Sequence, residues 1–139
     1  MALVFVYGTL TEEAQVDTLC ETYQFREPAR CVGLQRREGR YPTLVPGRSV
    51  TGRLLAVGDL TRLDRYEGVD RGLYRRVSIP LAASLATTVS ATAAAVYIGE
   101  PTALGIGSLD THWPGDGSFA ERVERYVPTA HIERINTTE

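Results

Sequence analysis

Short β-type segments outnumber helical ones in this chain, and the two kinds do not alternate. Ala2 to Val6 is an apolar run rich in β-formers that stops at Tyr7-Gly8-Thr9, the signature of a buried strand entering a turn. Ala29–Gln35, Ser49–Val57, Leu73–Leu81 and Val89–Ile98 have the same character. Three segments read as helices. One covers residues 11–21, behind a capping-box pair of Thr9 and Glu12. A second, of about two turns, starts at an Asp59 N-cap, carries Leu60, Leu63 and Tyr66 at helical spacing, and stops at Gly68. The third opens on a Ser118/Glu121 capping box and puts Phe119, Val123 and Tyr126 on one face. Doubly wound parallel sheets require a crossover, usually helical, between successive parallel strands. The pattern therefore predicts an α+β protein, with a closed or strongly curved mixed sheet and a few packed helices.

The connecting segments are less patterned. A polar turn is expected near Arg37–Gly39, and the stretch Tyr41–Gly47 holds Pro42 and Pro46, which makes it an edge or an extended loop rather than a central strand. Ala82 to Thr88 reads as a small-residue connection, and the tail from Pro128 is weakly patterned.

With 139 residues the chain is expected to form one domain over 1–139. No apolar run approaches about 18 residues, and the start MALVFVYGTL lacks a basic segment and a cleavage signal, so a cytoplasmic location is expected and no membrane partner. A net charge of −2 argues against nucleic acid as a partner. All 15 basic residues are arginine, which excludes Schiff-base, P-loop and general-base lysines. Cys20 and Cys31 form no CxxC pair and are expected to be buried and reduced. His112 and His131 begin no HExxH pattern, so no metal site is expected.

Three segments have residues suited to chemistry. At Tyr7-Gly8-Thr9-Leu10 a strand turns toward a helix and leaves backbone N–H groups converging, a nest for a carboxylate or a developing oxyanion. An ordinary strand-to-helix turn fits the same residues. In Leu63-Asp64-Arg65-Tyr66-Glu67-Gly68-Val69, Glu67 follows Leu63 by four positions, which aims its carboxylate inward at the negative end of a short helix and raises its basicity. A solvated glutamate paired with a nearby arginine is the commoner arrangement for such a residue. In Gly72-Leu73-Tyr74-Arg75-Arg76, Tyr74 can turn its hydroxyl into a pocket with Leu73 facing the other side, or be a half-buried aromatic on a sheet, while Arg75 and Arg76 alternate sides, one solvated and one covering apolar surface. Gly105-Ile106-Gly107-Ser108 is no GxSxG elbow, the Asp110–Gly117 loop lacks the alternating acids of a calcium site, and Trp113 within it reads as a packing residue or pocket wall.

Taken in order, Val4-Phe5-Val6-Tyr7-Gly8-Thr9-Leu10, Tyr41-Pro42-Thr43-Leu44-Val45, Leu63-Asp64-Arg65-Tyr66-Glu67-Gly68-Val69 and Leu73-Tyr74-Arg75-Arg76-Val77 resemble the γ-glutamylcyclotransferase-like family, also called AIG2-like, which includes γ-glutamylamine cyclotransferases. The likeness covers about the first 80 residues and extends more weakly to Tyr97. It implies a small mixed, largely antiparallel β-barrel with flanking helices. It also implies a pocket between the Tyr7–Leu10 loop and Glu67, with Tyr74 as the tyrosine that follows the glutamate. Members cyclise a γ-glutamyl group, releasing an amine or amino acid and leaving 5-oxoproline. In such an enzyme Glu67 is the acid/base, Tyr7, Gly8, Thr9, Leu10 and Tyr74 bind a small-molecule γ-glutamyl substrate, and no cofactor is needed. A non-catalytic binding module on the same fold and an amide hydrolase using Glu67 are the alternatives; the leaving group and the oligomeric state stay open.

Overall fold

The computed structural model describes residues 1–38, 42–105 and 113–135. Among them are six strands and four α-helices: β1 (Ala2–Val6), α1 (Glu13–Leu19), β2 (Tyr23–Arg37), β3 (Thr43–Val57), α2 (Thr61–Tyr66), β4 (Tyr74–Pro80), α3 (Ala83–Val89), β5 (Ala93–Gly99), α4 (Phe119–Tyr126) and β6 (His131–Arg134). The sheet order is β4-β5-β1-β3-β2-β6. Only β1 and β5 run parallel; the other neighbours are antiparallel. The sheet curls into a half-barrel, and its two edges meet where Leu81 bridges Ile132 and the Ala82 N–H donates to the Ile132 carbonyl at 2.8 Å. The fold is α+β, as the segment pattern predicts.

Strand alternation sorts the core into two clusters. Phe5, Leu54, Val96, Ile98, Val77 and Ile79 belong to one, together with Leu85 and Val89 of α3, Val123 of α4 and Ile132 of β6. Their neighbours Val4, Val6, Leu55, Val57 and Tyr97 belong to the other, covered by Val16 of α1 and Leu63 of α2. The two short helices α1 and α2 thus pack on the opposite side of the sheet from α3 and α4.

Several local expectations are corrected. Thr9 and Glu12 make no capping box: a 3-10 turn spans Thr9–Thr11 and α1 begins only at Glu13. The Thr9 hydroxyl lies 3.0 Å from the Tyr66 hydroxyl, so a partner 57 residues away takes the group that would have capped the helix. Asp59 accepts from the Thr61 N–H at 2.9 Å, but the N-cap of α2 is Leu60 rather than Asp59, whereas the Ser118/Glu121 capping box is complete. Ala82–Thr88 is mostly helix α3 rather than a connection, and β5 starts at Ala93 rather than Val89. Residues 131–134 of the unpatterned tail form β6 against β2. Strand β2 starts six residues before Ala29 and passes a bulge between Phe25 and Pro28. Thr43 to Pro46 belongs to β3 but pairs only with β2, since β1 pairing begins at Arg53, so Pro46 has no ladder partner on its other side. Gly39, Tyr41, Ile106, Gly107, Ser108, Asp110 and His112 lie outside the described residues.

Candidate active site

Strand β1 ends at Val6, and the chain turns through Tyr7 and Gly8 into the 3-10 turn. The first N–H groups of any helical turn have no partner within it. Those of Gly8, Thr9 and Leu10 also have none elsewhere among the described residues. Opposite them, α2 ends at Tyr66 and Glu67 is its C-cap, followed by Gly68 in the left-handed region at φ 71°. That glycine terminates the helix and leaves Glu67 at the rim of a cavity of about 340 Å³.

Its walls bring together every residue singled out above: Tyr7, Gly8, Thr9, Leu10, Glu67 and Tyr74. The carboxyl of Glu67 is half-buried and makes no ion pair or hydrogen bond among the described residues. Burial pushes its pKa up to about 7, because a carboxylate removed from water loses hydration that nothing here replaces. Tyr7 donates its hydroxyl to the Tyr97 carbonyl at 2.6 Å, and burial holds its pKa well above the phenol range, with the Glu67 charge adding to the rise. Tyr74 donates to the Pro42 carbonyl at 2.8 Å. The Gly99 N–H donates to the buried Thr43 hydroxyl at 2.7 Å, tying the start of β3 to the end of β5.

Other lining residues escape a reading of the chain by segments. Tyr66, at helical spacing with Leu60 and Leu63, is 38% exposed and lines the cavity, its hydroxyl set against Thr9. Leu73 and Tyr74 line the same cavity rather than opposite faces, since β4 begins only at Tyr74. Tyr97 on β5 is almost fully buried and spans three elements: its carbonyl receives Tyr7, and its hydroxyl donates to Asp64 Oδ1 at 2.7 Å. The interdigitation of β5 with β1 and α2 is a long-range consequence with no local signal, although an aromatic between Val96 and Ile98 on a buried strand marks a face change. Arg75 and Arg76 do not divide into one solvated and one apolar-covering side chain: they pair with Glu100 at 2.9 Å and Asp64 at 3.0 Å. Trp113 packs edge-on against Phe119 and Tyr126 and does not line the cavity. Cys20 and Cys31 are buried and free. Among the described residues no group of three or more His, Cys, Asp or Glu side chains is placed to hold a metal, and no helix is long and apolar enough to cross a membrane.

The sequence profile of the family described as "Gamma-glutamyl cyclotransferase, AIG2-like" matches residues 4–114. This chain belongs to that family. The profile runs past Tyr97, where the motif resemblance ends. Solved structures share the cyclotransferase-like fold. One titled "Gamma-glutamyl cyclotransferase" superposes with a TM-score of 0.57 at 18% identity, covering 71% of this chain and 66% of its own. An uncharacterized Pyrococcus horikoshii protein gives 0.53 at 19% identity over 71% and 78%, and an Arabidopsis thaliana protein 0.55 at 22% over 89% and 74%. The chain thus spans slightly less than two thirds of the first of these. No match was found among curated proteins.

Proposed function

We propose that this chain releases 5-oxoproline from a γ-glutamyl amine or γ-glutamyl amino acid, with Glu67 as acid and base. The observation that carries this reading is the unpaired, desolvated Glu67 carboxyl facing the unpartnered N–H groups of residues 8–10 across one cavity. Glu67 removes a proton from the substrate α-ammonium. The freed nitrogen attacks its own γ-carbonyl carbon and closes a five-membered ring. Glu67 then returns that proton to the departing amine as the C–N bond breaks, and the ring nitrogen gives up its second proton to the same amine, which leaves as an ammonium beside the neutral lactam. A carboxyl with a pKa of about 7 suits both halves, since neither protonation state is far from neutral pH.

The N–H groups of Gly8, Thr9 and Leu10 form the cradle for negative charge, either the oxygen of the attacked carbonyl or the α-carboxylate. Tyr7 spends its hydroxyl proton on Tyr97, so toward the cavity it acts as an acceptor for the ammonium. Tyr74, anchored through Pro42, orients the bound group beside Glu67. Because the nucleophile belongs to the substrate, holding it in a ring-closing pose supplies much of the acceleration, on the order of 7–11 kcal/mol for well-oriented intramolecular reactions.

Chromatography of products after incubation with a panel of γ-glutamyl compounds tests the reaction. Release of 5-oxoproline is expected; free glutamate instead would indicate hydrolysis, and binding without turnover a non-catalytic module. Glu67→Gln keeps the size and removes the base, and should lower kcat by about 10²- to 10⁴-fold. Near-normal turnover in that variant sinks the assignment.

A further inference from the structure

Asp64 and Glu67 lie three residues apart along α2 and its cap, so their side chains are neighbours on the helix surface. Their surroundings differ. One amino group of Arg76 reaches both Asp64 oxygens, at 3.2 and 3.0 Å, and the Tyr97 hydroxyl donates to Oδ1 of the same carboxylate at 2.7 Å. Glu67, on the cavity side, has no cation among the described residues. The Asp64–Arg76 pair sits in a separate shallow groove that shares Tyr74 with the cavity as a common wall. We propose that Asp64 is a positioning residue that holds the Arg76 guanidinium in this outer groove and so keeps Glu67 unpaired.

The inference rests on the acid/base reading of Glu67. A guanidinium brought within about 4–6 Å of a carboxylate lowers its pKa by about 1–3 units, which would make Glu67 a weaker base. Arg76 and Glu67 both act electrostatically on the Tyr97 phenol, whose pKa is raised mainly by burial and by Asp64. The side chains that face Glu67 from the neighbouring strands are phenols, Tyr7 of β1, Tyr74 of β4 and Tyr97 of β5. Of the other arginines near the site among the described residues, Arg36 of β2 donates to the Tyr7 carbonyl and pairs with Glu38, and Arg75 pairs with Glu100. Arg71 lies over Gly68, and Arg65 is exposed on the groove between α1 and α2. Desolvation remains the cause of the Glu67 shift, so none of these cations offsets it.

Asp64→Asn tests this with little change of shape, because the Asn carbonyl oxygen still accepts from Tyr97 while the charge that holds Arg76 is gone. The Glu67 carboxyl carbon is titrated by NMR in wild type, Asp64→Asn, Arg76→Gln and the double variant. Asp64→Asn is expected to lower the Glu67 midpoint by about one unit or more, and the double variant to return it to near the wild-type value. Arg76→Gln alone should raise the midpoint, since Asp64 then faces Glu67 without its counter-charge, and this arm stands even if Asp64→Asn fails to fold. The acid limb of the kcat–pH profile should move in the same directions. An unmoved midpoint in either single variant, or a double variant as low as Asp64→Asn, overturns the proposal. Failure of the acid/base reading looks different: the NMR midpoints shift as expected but Glu67→Gln turns over normally.

Discussion

Glu67 is held in the folded protein at an energetic cost that grows with pH. Its pKa is pushed up to about 7 by burial, against an ordinary value of 4.5. Between those two values the unfolded chain has lost its proton while the folded protein keeps it, so the folded state binds more protons and stability falls as pH rises. Stability associated with this group is complete below about pH 4.5 and is gone once pH exceeds about 7. The size, at 1.36 kcal/mol per unit, is on the order of 3 kcal/mol. Glu67→Gln should therefore gain stability relative to wild type between pH 5 and pH 8, by about 2–3 kcal/mol in urea unfolding. A difference that is flat across that range would mean the carboxyl is solvated. Burial acts on Cys31 in the same sense, pushing its pKa up to about 12, so the native thiol should resist alkylation at pH 8 while unfolded protein reacts fully. Both residues were legible as types and positions in the chain, but the absence of a cation beside Glu67 among the described residues was not. An acid amid this many arginines has no local mark of whether one of them reaches it.

At the level of elements, α2 shows how a short helix is fixed by its ends. It has six residues, too few to persist by propensity, and depends on the Asp59 bond to Thr61 at one end and left-handed Gly68 at the other. A Cβ at Gly68 would sit at φ 71° and 2.7 Å from Leu73 Cδ1. Gly68→Ala should cost about 1–3 kcal/mol in unfolding free energy, most of it for left-handed backbone in an L-residue, and should lower kcat because Glu67 is the adjacent cap. Wild-type kcat and an unchanged urea midpoint would show that the turn is not what sets Glu67. The Asp59 signal fell one residue before the Leu60 N-cap, while the C-terminal stop of α2 was readable, since Gly is a local signal. Helix α3 was not, because ASLATTV carries no cap and two β-branched threonines. It is helical because Leu85 and Val89, four apart, are both buried, while Thr87 and Thr88 satisfy their hydroxyls on the Ala83 and Ser84 carbonyls. Strand β6 is likewise decided by tertiary pairing: Ile132 opposite Cys31 is fully buried, whereas the surrounding HIER sequence has no periodicity to announce a strand.

For the whole molecule, the decisive feature is the seam where the curled sheet meets itself. The excess of strand-type segments made a curved mixed sheet readable, although with α3 and β6 the described elements alternate everywhere except at β2–β3; the seam joins residues 81 and 132, and nothing in the chain pairs them in advance. Its backbone contribution is thin, a single bridge and the Ala82-to-Ile132 hydrogen bond, so closure depends on apolar contact in the cluster that holds Leu81, Leu85 and Ile132. Glu67, by contrast, sits beside the other cluster, under α1 and α2. The two ends should therefore be separable. Ile132→Ala removes a fully buried side chain and should cost about 2–5 kcal/mol of unfolding free energy, while KM and kcat measured well below the new unfolding midpoint stay near wild type. Amide exchange should quicken first at Ala82 and along β6 rather than around Gly8. If Ile132→Ala instead changes kcat at full foldedness, the seam sets the curvature on which the distance between Glu67 and the residue 8–10 amides depends, and the half-barrel acts as one mechanical unit.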